Sequence, residues 1–321
     1  MEEEEEKNAV KRTLTLIGNR ILKLQTLRII VQFLFFFLFF FALFFGLGPW
    51  PILLPVIGLL GVPQKTMGDA LGALQYMLYK QILPWIPLAS IFLSAALVGR
   101  AFCAWVCPFG LVQDILSFLK KRHTQVSLRT HNDMIKVKYV VLAATLFISG
   151  VLALFVTYKE SLGVFAIAPF NTLSPADTLF AVVPKTVLDV RYGLPALLRK
   201  PSGEVYGALW SSIVSVQALF WARIFILALI LALILYIPRG WCRYLCPQGA
   251  FSAIFSRFSF LGLKRDPVRC TRVGCRDCVE VCPMKVPILD EPWEKFTHPE
   301  CIMCLKCVDA CSTKAIKPKF P

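Results

Sequence analysis

Four stretches of the chain are apolar for long enough to be read as membrane spans, which take roughly 20 residues with a range of about 17–25. Ile29–Leu47 contains nine phenylalanines between Phe33 and Phe45. Ile82–Val98 is shorter, with Trp85 near one end as an interface anchor. Tyr139–Tyr158 is bracketed by Lys138 and Lys159, and Trp221–Ile237 carries Arg223 close enough to its end to snorkel. Ile52–Leu60 and Leu162–Val183 are also apolar, but Pro51, Pro55, Pro169 and Pro175 interrupt them. They read as short re-entrant or surface-lying pieces. Tyr206–Phe220 either extends the fourth helix or lies along the interface.

Composition supports the membrane reading. Of 321 residues, 57% are hydrophobic and 17% charged, against about 45–50% and about 25% in an average soluble domain. The net charge of +15 would suggest nucleic acid in a soluble protein. In so apolar a chain it sets topology instead, and no nucleic-acid partner is expected. Four spans put the N-terminal tail, the 99–138 loop and everything after 238 on one side, with 27 of the 35 basic residues. The positive-inside rule makes that side cytoplasmic. The first span is too long for a signal-peptide core, follows Glu2–Glu6 and precedes no small-residue cleavage site, so it is expected to stay.

The twelve cysteines fall into two pairs and two quartets. Cys270-x4-Cys275-x2-Cys278-x3-Cys282-Pro283 is followed by Cys301-x2-Cys304-x2-Cys307-x3-Cys311. Three closely spaced thiolates wrap one face of a cuboidal cluster, and the fourth reaches the neighbouring cluster in two-cluster ferredoxins. The expected ligand sets are Cys270, Cys275, Cys278 and Cys311 for one [4Fe–4S] centre, and Cys301, Cys304, Cys307 and Cys282 for the other. Zinc sites usually split into two separated cysteine pairs, and disulfides are rare on the cytoplasmic side. The x4 spacing in the first quartet and Ser312 in place of the usual proline depart from the bacterial pattern but leave every ligand present.

The remaining cysteines reveal a repeat. Arg100-Ala-Phe-Cys103-Ala-Trp-Val-Cys107-Pro108-Phe-Gly110 aligns with Arg239-Gly-Trp-Cys242-Arg-Tyr-Leu-Cys246-Pro247-Gln-Gly249 at an offset of 139 residues. Each copy follows a predicted span. Cysteines at i and i+4 share one helix face, and the following proline places the pair where the helix ends or breaks. Two such pairs suffice for an iron–sulfur cluster or a copper or zinc ion; the alternative is four buried structural thiols. Arg100 and Arg239 read either as snorkelling anchors or as counter-charges to a thiolate-bound centre. Asp114 reads either as a solvated juxtamembrane carboxylate or as a proton acceptor.

Together these residues resemble the NapH family of ferredoxin-type membrane proteins, related to the iron–sulfur parts of NosR and CcoG. The resemblance rests on Leu27-Arg28-Ile29-Ile30-Val31-Gln32, the two Cys-x3-Cys-Pro motifs and the tandem cluster motifs, and runs from about residue 27 to 317. It implies an electron-transfer component of a quinol dehydrogenase complex, passing electrons between the quinone pool and partner redox subunits. CcoG-like copper reduction at the membrane cysteines, or a redox-sensing assembly role, is the alternative. Neither a flavin-binding domain of the NosR kind nor the extra C-terminal domain of CcoG is expected.

The histidines, His123, His131 and His298, lie outside the predicted spans, so no b-type haem is expected. No c-type haem, nucleotide or ATP motif is found. The expected fold is a membrane all-α, four-span helical bundle built from a duplicated two-span unit, with a C-terminal α+β ferredoxin-like double-cluster domain. Residues 1–28 form a cytoplasmic tail, 29–262 the transmembrane domain and 263–321 the cytoplasmic ferredoxin domain. The expected setting is the inner membrane, with lipid and quinone as non-protein partners.

Overall fold

The computed structural model describes residues 24–41, 53–54, 56, 68–119, 126–156, 169–183, 218–270 and 275–320. In chain order these form α1 (Leu24–Phe41), a two-residue parallel pair β1 (Leu53–Leu54) and β2 (Gly68–Asp69), α2 (Ala70–Tyr79), α3 (Trp85–Val98), α4 (Ala101–Trp105), α5 (Pro108–Leu119) and α6 (Leu128–Val156). There follow α7 (Pro169–Leu173), α8 (Pro175–Asp177) running into a π-helical turn over Thr178–Val182, α9 (Ala218–Tyr236), α10 (Gly240–Tyr244) and α11 (Pro247–Ser256). The C-terminal part contains β3 (Gly262–Arg265), α12 (Asp277–Glu280), α13 (Lys306–Ala310) and β4 (Ile316–Lys319). The protein is mostly helical, ending in a small α+β segment.

Among the described residues one helix is long and apolar enough to cross a membrane by length and composition, Arg129–Leu154 within α6. Leu24–Phe39, Trp85–Val98 and Trp221–Tyr236 are shorter apolar helices on three of the four predicted spans. The tail over 1–23, the end of the first predicted span over 42–47, Thr157, Tyr158, His123 and most of the interrupted pieces lie outside the described residues. Helix α6 starts eleven residues before the predicted Tyr139, because Ser127 Oγ accepts from Thr130 N–H at 3.3 Å and the polar turn at 130–133 stays helical. At about 1.5 Å per residue its 29 residues reach about 43 Å, longer than a hydrocarbon core of about 30 Å. His131 therefore sits within the first turn of this helix.

The chain divides into two compact units that are not contiguous in sequence. One gathers the described residues of Met1–Phe37, Phe92–Val112 and Ser252–Pro321; the other gathers those of Leu38–Ile91 and Gln113–Phe251. The first Cys-x3-Cys-Pro motif thus shares a unit with the C-terminal cysteines, and the second motif belongs to the other unit.

Within the first unit, β3 and β4 pair antiparallel, with Lys264 opposite Lys317 and Arg265 opposite Ile316. Leu263 also bridges Phe296, through bonds of 3.1 and 2.8 Å. The buried face of this ribbon meets Met284, Val286, Ile288 and Ile302, and the same core takes in Cys103 and Ala104 of α4. Phe260 N–H donates to Ala96 O at 2.7 Å and Leu261 N–H to Leu97 O at 3.1 Å, so the chain leading into β3 is strapped to the end of α3.

The two motif copies have the same local geometry. In each, the backbone N–H of the second cysteine bonds five residues back, Cys107 to Phe102 O at 2.9 Å and Cys246 to Trp241 O at 3.0 Å. A new helix then starts at the following proline, whose missing N–H costs nothing there. The copies differ at the entry. Helix α3 ends on Gly99 at φ +63°, a left-handed cap glycine adopts freely. In the second copy Pro238 cannot take positive φ, and the left-handed step falls on Arg239 at φ +53°. A Cβ at Gly99 meets Ser259 Oγ at an ordinary 3.4 Å, so Gly99→Ala carries only the backbone cost. We expect a loss of about 1–2 kcal/mol in chemical denaturation of the detergent-solubilised chain.

Candidate functional site

The C-terminal cysteines lie on short loops that two one-turn helices punctuate. Cys278 lies in α12 and Cys307 in α13; both are buried, as is Cys304. Cys270, Cys275, Cys282, Cys301 and Cys311 are half-buried. Backbone at φ > 0 recurs here on non-glycine residues, at Lys285, Met303, Leu305 and Lys314, where each costs about 1–2 kcal/mol. Lys285 and Lys314 stand three residues after Cys282 and Cys311. Each turn brings the next N–H onto the cysteine sulfur, Val286 to Cys282 Sγ at 3.4 Å and Ala315 to Cys311 Sγ at 3.3 Å. The second half of the segment repeats the first in geometry, and both halves aim backbone donors at sulfur.

Electrostatics sorts these thiols into two groups. Burial raises the Cys278 thiol, and the neighbouring Cys270, Cys275 and Cys311 raise it further. Burial likewise drives Cys307 far above the usual thiol range, with Cys304, Cys301 and Cys282 adding to it and Cys278 contributing last. Cys301 is pushed up to about 12 by burial, opposed by the Met303 N–H and by the Arg100 guanidinium. Cys311 is lowered: its partial burial, a raising effect, is outweighed by hydrogen bonds from Thr313 Oγ1 and the N–H groups of Ile316, Ala315 and Thr313. Mutual raising is what converging thiols produce, and bound iron removes the penalty by holding them as thiolates. Cys282, Cys301, Cys304 and Cys307 line a small apolar pocket of about 20 Å³ with Met284, Ile302 and Phe296. Four cysteines lining one apolar pocket are a donor set that fits an iron–sulfur cluster. Among the described residues no three of His, Cys, Asp or Glu close around one point as a single ion requires.

This segment is tied to the first Cys-x3-Cys-Pro motif. Arg100 is fully buried and donates to Glu300 Oε2 at 2.9 Å and Pro299 O at 3.2 Å. Trp105 Nε1–H donates to Met303 O at 2.9 Å. From α1, Gln25 donates its Nε2–H to Cys304 O at 2.8 Å and its backbone N–H to Asp309 Oδ2 at 3.1 Å. Arg100 is therefore no snorkelling anchor: it is an internal cation held by a carboxylate and placed near the Cys301 thiol.

In the other unit, Cys242 and Cys246 are buried. Gln113 Nε2–H donates to Cys242 Sγ at 3.0 Å, and Gly249 N–H to Cys246 Sγ at 3.2 Å. Arg239 is as buried as Arg100 and grips both oxygens of Asp114, Nε to Oδ1 at 3.0 Å and Nη2 to Oδ2. Asp114 is thus a buried structural anion and not the solvated carboxylate the sequence suggested. Arg243 donates to His131 Nδ1 through Nε at 3.1 Å and Nη2 at 2.8 Å, and Tyr244 Oη lies 3.1 Å from the same nitrogen. Two guanidinium donors on Nδ1 make that nitrogen an acceptor, with the ring proton on Nε2. The two cysteine pairs occupy different units, each with its own buried arginine.

Sequence reasoning passed over Gln113, His131, Arg243, Tyr244 and Glu300. Glu300 immediately precedes Cys301, and Gln113-Asp114 follows Cys107 by six and seven residues. Those adjacencies were the available signals.

A family model described as a 4Fe-4S binding domain matches the chain twice, over residues 82–124 and 219–265, once across each Cys-x3-Cys-Pro copy. A 4Fe-4S dicluster domain model matches residues 269–316. Relatives include an uncharacterised protein of Methanocaldococcus jannaschii, 29% identical over 236 residues, covering 71% of this chain and 76% of the relative. The ferredoxin-type protein NapH of Escherichia coli is 26% identical over 227 residues, 68% of this chain and 61% of that protein. The methylamine utilization ferredoxin-type protein MauN of Methylobacillus flagellatus is 27% identical over 226 residues, 69% and 62% respectively. The chain thus spans only about three fifths of the length of the last two. No solved structure matches.

The buried ion pairs make a sharp prediction. Removing one partner of such a pair costs about 3–5 kcal/mol, whereas replacing both with apolar groups of similar volume is often neutral. Asp114→Ala should destabilise the detergent-solubilised protein by about that amount, and Asp114→Leu combined with Arg239→Met should restore most of it. Thermal and denaturant unfolding of the single and double variants checks both.

Proposed function

Since the chain is a NapH-like ferredoxin-type iron–sulfur protein, we propose that it links the quinone pool to partner redox proteins through two [4Fe–4S] clusters. Cys270, Cys275, Cys278 and Cys311 hold one cluster; Cys282, Cys301, Cys304 and Cys307 hold the other. The observation that carries this is the pocket that Cys282 of the first quartet lines together with Cys301, Cys304 and Cys307 of the second; reciprocally, Cys278 has Cys311 of the second quartet beside it with Cys270 and Cys275. When bound, such clusters accept and release single electrons, which lets a two-electron donor feed one-electron partners.

The chain's own residues hold and tune these groups. The N–H groups of Val286 and Ala315 stabilise negative charge on Cys282 and Cys311. Arg100, positioned by Glu300, places a positive charge near Cys301 and offsets the charge of the thiolate set. The packed core of Leu263, Met284, Ile302 and Phe296 keeps water from the inner group. Asp114, with both oxygens on Arg239, is unsuited to accept a quinol proton.

The proposed setting is the cytoplasmic membrane, crossed four times, with both termini and the cluster-binding segment on the cytoplasmic side. The outward apolar side chains of the helices support it, among them Leu34 in α1, Leu93 in α3, Phe147 in α6 and Phe225 in α9, along with the weighting of basic residues to one side. A second reading, metal handling at the membrane cysteines with copper as the candidate, is supported by the buried sulfurs of Cys242 and Cys246, each facing an N–H donor.

Anaerobically purified protein should contain about eight iron and eight sulfide per chain, and quinol should generate EPR signals from reduced clusters. Clusters indifferent to quinol would count heavily against the link to the quinone pool. Cys278→Ser and Cys307→Ser should each remove about half the iron. Iron lost from Cys103→Ala or Cys242→Ala points to a further cluster, copper lost points to the second reading, and no change makes those thiols structural.

A further inference from the structure

The outer face of the β3–β4 ribbon is basic in a way the fold does not require. Lys264 and Lys317 stand directly opposite each other across the strands, and Lys319 follows two residues along the same face. Like charges in directly opposed cross-strand positions are destabilising. Among the described residues none of the three lies within ion-pair distance of a carboxylate. Together with Arg265, Arg269 and Trp293 they line an open cleft of about 580 Å³. Its acidic members are Asp266, already paired with Arg269 at 3.5 Å, and Glu294. Trp293 is 53% exposed there, and an aromatic amid basic residues is a frequent anchor of a protein interface.

The cleft is built onto one cluster-binding group and not the other. Cys270 N–H donates to Asp266 O at 3.0 Å, and Asp266 N–H to Ala315 O at 2.9 Å. Ala315 N–H in turn donates to Cys311 Sγ at 3.3 Å. Two lining residues of the cleft are therefore bonded directly to Cys270 and Cys311. The other group faces inward: Cys304 O and Met303 O accept bonds from Gln25 and Trp105, and Cys103 shares its core.

We infer that this cleft is the docking site of an acidic, soluble one-electron carrier protein. Electrons enter or leave the chain through the cluster held by Cys270, Cys275, Cys278 and Cys311, and the cluster held by Cys282, Cys301, Cys304 and Cys307 is the inner relay. The inference rests on the two-cluster reading above. One electron passes per encounter: the carrier is oxidised by one as the outer cluster is reduced by one, or the reverse, with no bond made and no proton moved. A lipid surface would also attract the lysines, but it gives no reason for the cleft to be bonded to a ligand sulfur.

The full-length protein, loaded with clusters and held in nanodiscs of neutral phosphatidylcholine, is titrated with a bacterial flavodoxin as an acidic one-electron carrier. Its association rate should fall about tenfold or more between about 20 mM and about 200 mM salt. Combining Lys264→Glu, Lys317→Glu and Lys319→Glu should lower that rate by a similar factor at low salt, with iron, sulfide and EPR signals unchanged. If the triple variant loses iron, the same lysines changed to Gln supply the comparison, with a smaller loss expected in the same direction. Cluster-loaded protein that ignores flavodoxin, or variants that bind it as the parent does, would overturn the docking proposal alone. Lysine-dependent retention on phosphatidylserine vesicles without lysine-dependent flavodoxin binding would overturn it in favour of lipid. A parent protein without iron and sulfide would instead sink the two-cluster reading.

Discussion

A guanidinium removed from water must find acceptors or it unfolds whatever surrounds it, and this chain buries several. Arg100 is matched by Glu300, Arg239 by Asp114, Arg243 by His131, and Arg265 by the carbonyls of Ile288 and Leu289. Arg28 turns its Nε toward Gln25, whose amide in turn holds Cys304 O. These pairings fix how the helices carrying the cysteine motifs meet their neighbours within each unit. Part of the excess positive charge is therefore internal structure, and that part does not act as a lipid-facing or nucleic-acid-facing surface.

The duplication shows how two related segments can be held by different means. Both copies close with the same five-residue backbone bond at the second cysteine and restart at proline. Their arginines sit at equivalent positions, yet one finds its carboxylate in the C-terminal segment and the other midway along α5, the helix that follows the first copy. Position 253, the repeat equivalent of Asp114, is alanine. Glu300 supplies for Arg100 the anion that the repeat does not.

Whatever depended on local spacing was legible in the sequence. The cysteine quartets, the 139-residue repeat, the helix breaks at Pro108 and Pro247 and the apolar character of α1, α3, α6 and α9 could all be read from the order of residues along the chain. The partners of the arginines could not: Arg100 and Glu300 lie 200 residues apart, and Arg239 and Asp114 lie 125 apart. Which carboxylate faces which guanidinium is decided by tertiary packing, to which periodicity is blind. The same blindness made Asp114 look like a solvated residue. It also set the start of α6 too late, since a polar first turn resembles a loop until its Ser127 cap is seen.

The indole of Trp105 on Met303 O, the amide of Gln25 on Cys304 O and the strap from Phe260 and Leu261 to α3 bear on biosynthesis. Residues 263–321 resemble a free-standing ferredoxin in their motifs, but the backbone around Cys301–Cys307 finds its hydrogen-bond partners 198 and 279 residues earlier, on Trp105 and Gln25. The geometry of these cysteines is therefore coupled to the folding of α1 and α4. Cys301–Cys307 emerge from the ribosome into a geometry that depends on polypeptide already in place. Excised as a module or grafted onto another protein, the tail would leave that scaffold behind.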